Sequence, residues 1–163
     1  MRFNWRFLLL SSLLFSNFSW ADAVDIEVNL PAFSGAMVYR PYVAVWVEDQ
    51  QGDLVRSVSV WRKEADWLKD MRRWWRKAGR HDQGELEAIT GATRRAGLHR
   101  VLWDGTDQQG QPVPNGHYTL YIEAAREHGS RSLVRQDIEL GRPATLTTAA
   151  AEELGSMVIR VLR

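Results

Sequence analysis

The sequence predicts an all-β protein: an immunoglobulin-like antiparallel β-sandwich of about seven strands with one short helical insertion. Three observations carry this expectation. Short segments in which apolar and polar residues alternate recur along the chain, the pattern of half-buried strands. Clusters of Gly, Pro, Asn and Asp separate them and supply turn geometry. One central stretch without Gly or Pro switches to an apolar spacing of three to four residues, the period of a helix.

The elements follow in order. In VDIEVNL, Val24, Ile26, Val28 and Leu30 alternate against Asp25, Glu27 and Asn29, and Pro31 to Gly35 ends the strand. YVAVWVED, opened by Pro41, is apolar on both sides, with Val43, Val45 and Val47 set against Tyr42, Ala44 and Trp46. That pattern predicts a strand covered on both faces. Asp49 to Asp53 is a turn, and LVRSVSVW (54–61) returns as the second arm of a hairpin. Residues 63–78 form the helical insertion: Trp67 or Leu68, Met71 and Trp74/Trp75 recur at helical spacing, and Gly79 stops it. Asp66 early and Arg76 and Lys77 late suit the helix dipole. A polar loop over 80–85 follows, then a loop over 87–97. Strands are expected at 98–103, 117–126, 133–140 and 157–162, with residues 145–153 as an Ala-rich loop before the last of them.

The first 21 residues have the layout of a secretory signal peptide. Arg2 and Arg6 form a basic start, an apolar run follows to Phe18, and Ser19-Trp20-Ala21 is a small-x-small end. The run is shorter than the roughly 20 residues that a membrane-spanning helix needs. Cleavage would leave one domain over residues 22–163, exported to the periplasm, with 19 basic against 20 acidic residues and no transmembrane segment.

Composition removes several classes of function. The full chain of 163 residues carries 21 basic and 20 acidic residues, a balance unlike that of a dedicated nucleic-acid binder. It has no cysteine, so disulfides, thiolate metal sites and thiol catalysis are excluded. His81, His99, His117 and His128 show no close metal-ligand spacing, although His99 and His117 could meet across a hairpin. There is no Gly-x-Ser-x-Gly, no His-Glu-x-x-His and no phosphate-cradling glycine loop, so nothing supports a hydrolase. Trp46, Trp61, Trp67 and Trp103 read as core. Trp74 and Trp75, flanked by Arg72, Arg73, Arg76, Lys77 and Arg80, belong either to a solvated helix face or to a surface that stacks on a flat ring or a partner.

Two short motifs carry resemblances. Trp103-Asp104-Gly105-x-Asp107-x-x-Gly110-x-Pro112, continuing to Gly116-x-Tyr118, resembles the immunoglobulin-like hairpin of flagellar hook-capping proteins. Its logic is that Trp103 enters the core, the two Asp side chains accept turn amides and the glycines adopt left-handed conformations. Glu87-Ala88-Ile89-Thr90-Gly91-Ala92-Thr93, followed by Arg94 and Arg95, resembles the motif of exported proteins that receive FMN covalently from a flavin transferase. That resemblance implies Thr93 as the acceptor and Thr90, Gly91 and Ala92 as the small shoulder the transferase grips. It also implies a phosphate beside Arg94 and Arg95, whose planar forks suit phosphate oxygens. Glu87 stands where the motif usually has Asp. The plainer reading of Thr90-Gly91 is a tight turn.

Taken together, the export signal, RPYVAVWVED, Arg73-Trp74-Trp75-Arg76, TGATR, LHRVLWDG and IEAAREHG resemble the periplasmic family called domain of unknown function 2271. The resemblance implies a flavin electron carrier working with a membrane redox partner, such as a PepSY-type protein, rather than an autonomous enzyme. The other expectation is a non-catalytic binding or scaffold module of the cell envelope.

Overall fold

Each of the seven expected strands forms, and two more join them. The computed structural model describes residues 22–34, 39–80 and 87–163. The signal peptide expected over 1–21 and most of the polar loop over 80–85 lie outside the described residues. The strands are β1 (Val24–Leu30), β2 (Tyr42–Glu48), β3 (Leu54–Trp61), β4 (Thr90–Gly91), β5 (Gly97–Trp103), β6 (Gly116–Ala125), β7 (Arg131–Leu140), β8 (Ala144–Thr147) and β9 (Val158–Val161). One sheet runs β5-β1-β9-β8 and the other β4-β3-β2-β6-β7. The protein is an all-β sandwich of nine strands among the described residues.

The count differs from seven because β4 and β8 are two and four residues long. Strands that short carry too few alternations to be seen in a pattern. β8 occupies part of the segment expected to be an Ala-rich loop. Pairing is antiparallel throughout except for β4, which lies parallel to β3, Val60 against Thr90 and Trp61 against Gly91.

The inward faces of the two sheets build the main core. Val24, Ile26 and Val28 of β1 meet Val43, Val45 and Val47 of β2, with Leu120 and Ile122 of β6 and Ile159 of β9 completing the layer. All nine are fully buried. At about 1.5–3 kcal/mol for each large aliphatic removed from water, this layer is the main favourable term. Trp103, 1 % exposed, closes one end. Its indole donates to the Thr106 carbonyl at 2.8 Å and stands edge-on to Tyr118. Asp104 and Asp107 accept amides of their own turns, and Gly105 and Gly110 have φ of 69° and 76°, as the turn motif requires.

β2 is buried on both faces. Its other side, with Tyr42, Ala44 and Trp46, lies under a helical layer that contributes Leu68, Met71, Trp74 and Ala78. This layer is not one continuous helix. A 3₁₀ segment, Ala65–Asp70, stops at Met71, whose ψ of 73° breaks the helical path. The chain then turns through Arg72–Trp74 as α-helix and Trp75–Gly79 as π-helix, ending at Gly79 as expected. A side chain at Gly79 would come within 2.6 Å of Trp75 and 2.8 Å of Trp74, so the helix ends where only glycine fits.

Two buried carboxylates join this layer to the sheet. Glu123 of β6, 0 % exposed, accepts the amides of Trp74 (2.8 Å) and Arg73 (3.2 Å) and the Arg131 Nε (2.5 Å). Glu48 of β2 accepts the Trp46 indole and the Arg73 guanidinium, each at 2.8 Å. Arg73 also lies over the Tyr121 ring, 4.2 Å from its centre, and Tyr121 stacks on Trp46.

A third buried acid fixes the loop before β9. Glu153 accepts from Arg126 and from the amide and hydroxyl of Ser130. Burial alone would raise its pKa, but these donors together outweigh burial and hold the carboxyl below its ordinary value. A group whose folded pKa is depressed contributes stability above its unfolded pKa, and that contribution disappears as pH falls through the folded value. The gap in thermal midpoint between wild type and Glu153→Gln is therefore expected to be widest near neutral pH. It should narrow as the pH is lowered below about 4.5, as followed by circular dichroism.

Candidate functional site

The motif 87–97 begins with a helical turn over 87–89, and Ile89 packs against the apolar layer under the helices. Thr90 and Gly91 are then held as β4, and the Gly91 carbonyl accepts the Arg62 amide at 2.8 Å. The expected loop is therefore anchored at its start and open after it. Ala92, Arg94, Arg95 and Ala96 are exposed and Thr93 is half-buried.

Thr93 lines a cleft of about 440 Å³ with Tyr39, Arg40, Tyr42, Arg62, Lys63 and Glu127. Three basic residues face one acid there. Arg62 and Lys63 arrive at the cleft because they follow the end of β3, to which β4 pairs. Tyr39 and Arg40 come from the segment before β2, and Glu127 follows β6. Burial raises the Tyr42 phenol pKa, the nearby acids Glu127, Glu64 and Asp70 raise it further, and a hydrogen bond with the Glu64 backbone partly opposes them. The phenol is therefore protonated at neutral pH. His128, at φ of 54°, stands edge-on to Tyr39 with 5.4 Å between ring centres.

Arg94 and Arg95 do not share this cleft. They line an adjoining cleft of about 290 Å³ with Pro31, Phe33, Pro41 and Ala96, and the two clefts share Tyr39 and Arg40. Arg94 lies over Trp61, 4.4 Å from the ring centre, on the tryptophan that β4 runs beside. His99 meets the same indole edge-on, and its Nε2 donates to the Arg95 carbonyl at 2.7 Å. The cations that line the cleft with Thr93 are Arg40, Arg62 and Lys63, while Arg94 and Arg95 line the adjoining one. Sequence reasoning missed these three because they sit 30 to 53 positions before Thr93. The one available signal was a basic residue at each end of the β2–β3 hairpin.

Other expectations are corrected. Trp74 is fully buried, with its indole 3.4 Å from the Ser57 hydroxyl, so it offers no surface for a flat ring. His99 and His117 belong to different sheets and do not face each other.

Residues 23–156 match the family described as "Predicted periplasmic protein (DUF2271)". The chain belongs to this family. Its periplasmic setting agrees with the export expected from the N-terminus, and no helix among the described residues is long and apolar enough to cross a membrane. No curated protein and no solved structure matches the chain.

Gly91 of this DUF2271 chain is not held in place by backbone conformation or packing. Gly91 does not lie in the left-handed region, and a Cβ there would meet Trp61 at 4.0 Å, an ordinary contact. The fold does not need glycine at this position, in contrast to Gly97 with φ of 129°. Gly91→Ala is expected to change the free energy of unfolding by less than about 0.5 kcal/mol in urea denaturation. A large loss of stability would make the glycine structural.

Proposed function

We propose that this protein is a periplasmic electron-transfer module that carries FMN covalently on Thr93. The observation that carries the reading is that Thr93 lines a cleft with Arg40, Arg62 and Lys63. An acceptor hydroxyl must be reachable by another enzyme, and its product must find counter-charges for a phosphate. The exposed segment after β4 supports the first requirement and the three cations support the second. The dispensable glycine beside Trp61 supports a third, that the segment stays small enough to be gripped.

A periplasmic flavin transferase would attach the group from FAD. The Thr93 Oγ bonds to the flavin-side phosphorus, the P–O bond to AMP breaks, AMP leaves, and the hydroxyl proton passes to the transferase. Once bound, the flavin supplies reversible electron transfer. The protein's part is to hold the phosphodiester with Arg62, Lys63 and Arg40. Tyr39, shared by both clefts, and Phe33 offer apolar surface along the neighbouring cleft. Electrons would come from a membrane redox partner. The protein acts as a carrier, and the catalytic step of attachment belongs to the transferase.

A second reading, a non-catalytic binding module, draws on Leu98 and Leu102, which are 66 % and 55 % exposed on the edge strand β5. The two readings separate on Thr93. After export with an active flavin transferase, the denatured protein should fluoresce as a flavin in a gel. Thr93→Ala should abolish the signal, and Gly91→Val should reduce it at least tenfold while the protein remains folded. Equal fluorescence in wild type and Thr93→Ala, or none in either beside a labelled control substrate, would leave the binding module.

A further inference from the structure

The charge of the chain is unevenly placed. Residues 62–80 hold eight basic and three acidic residues, a net of +5, whereas the other 144 residues hold 13 basic against 17 acidic. This segment is the helical layer and its approach from β3. Two of its cations point inward to the fold: Arg73 pairs with Glu48, and Lys77 donates to the Gly52 carbonyl. Lys63, Lys69, Arg72, Arg76 and Arg80 are exposed. The first four of these make no ion pair among the described residues. Arg72, Arg76 and Arg80 are spread along the α- and π-helical turns and their C-terminal end.

We infer that this outward face docks the protein on an anionic phospholipid surface. Charge complementarity names the class of occupant, and the absence of apolar anchors narrows it. Stable protein interfaces need a buried apolar centre. Of the large hydrophobic side chains exposed among the described residues, Leu98, Leu102 and Leu162 lie in or beside the other sheet, and Leu133 is a single leucine on β7 beside Glu123, at the edge of the helical layer. The helical face offers long cations with the half-buried indoles of Trp67 and Trp75 among them. Lipid headgroups accept that mixture, cations to phosphates and indoles to the interfacial zone. The periplasm of this family is bounded by membranes. Its own acids offset only part of this charge: Asp70 shares a cleft with Arg72, and three acids against eight bases leave the segment at +5. Arg62 and Lys63 belong to both the basic segment and the Thr93 cleft, so docking would bring that cleft close to the bilayer. The inference stands whether or not Thr93 is modified.

The test uses the protein recovered from the periplasm, sedimented with vesicles of phosphatidylglycerol and phosphatidylcholine or of phosphatidylcholine alone. Binding is expected to the mixed vesicles, not to the neutral ones, and to be lost at high salt. The triple variant K69E/R72E/R76E should lower the partition by roughly tenfold or more with an unchanged thermal midpoint. R142E/R163E, which reverses two exposed charges outside the helical segment, should bind like wild type. No binding to anionic vesicles at low salt would overturn the inference, as would equal losses in the two variants. Retention on immobilised poly-glutamate without any vesicle binding would overturn it in favour of an acidic protein surface.

Discussion

The structure depends on a carboxylate buried where two layers meet. Glu123 accepts two backbone amides of the α-helical turn in the middle of the helical segment and one arginine, with none of its surface exposed. The helical layer could not hold itself together. It is broken into a 3₁₀ piece of six residues, an α-turn of three and a π-turn of five, each far shorter than the ~12–15 residues at which isolated helices become even marginal. Packing on β2 and β6 supplies its stability, and Glu123 sets its position on them. Surface ion pairs elsewhere, such as Arg135 with Asp137, contribute at most about 1 kcal/mol. Removing one partner from a buried, hydrogen-bonded charge costs on the order of 3–5 kcal/mol, which makes this contact decisive. Once the layer is in place, the end of β3 is covered, β4 can pair with it, and Thr93 emerges beside Arg62 and Lys63.

Much of the sandwich was legible because alternation is a direct consequence of the pleat. β1, β2 and β6 read true, and the two-sided apolar pattern of β2 correctly foretold cover on both faces. β3 was located but its faces could not be read. Register shifts after Val45 and Val47 place bulges at Val58 and Val55, so Val55, Val58 and Trp61 face the main core at intervals of three. Leu54, Ser57 and Val60 face the helices. A period-two template that places Val55 and Trp61 correctly assigns Ser57 and Val58 to the wrong sides. The helical insertion was visible by its spacing, but the break at Met71 has no sequence signal such as Gly or Pro.

The candidate site divides in the same way. Thr93 and its small neighbours were legible because a short motif is contiguous. Arg40, Arg62, Lys63 and Tyr42 were not, because the parallel pairing of β4 with β3 brings them to Thr93 across the fold. Arg94, next to Thr93 in sequence, lies over the Trp61 ring and lines the adjoining cleft with Arg95. The clefts are open rather than enclosing. Non-covalent ligand sites generally bury most of the ligand. The proposed covalent attachment would relax that demand, since the bond, not the pocket, would retain the group, and an open cleft would leave it accessible to a redox partner.

The central claim concerns one hydroxyl, and Thr90 lies three residues away as an internal comparison. Peptide mapping by tandem mass spectrometry, on protein exported alongside an active flavin transferase, tests it most directly. The account predicts that the peptide containing residues 87–94 gains on the order of 440 Da, the increment of one FMN ester, and that fragmentation places it on Thr93. An unmodified peptide beside a labelled control substrate, or a mass gain assigned to Thr90, would contradict it.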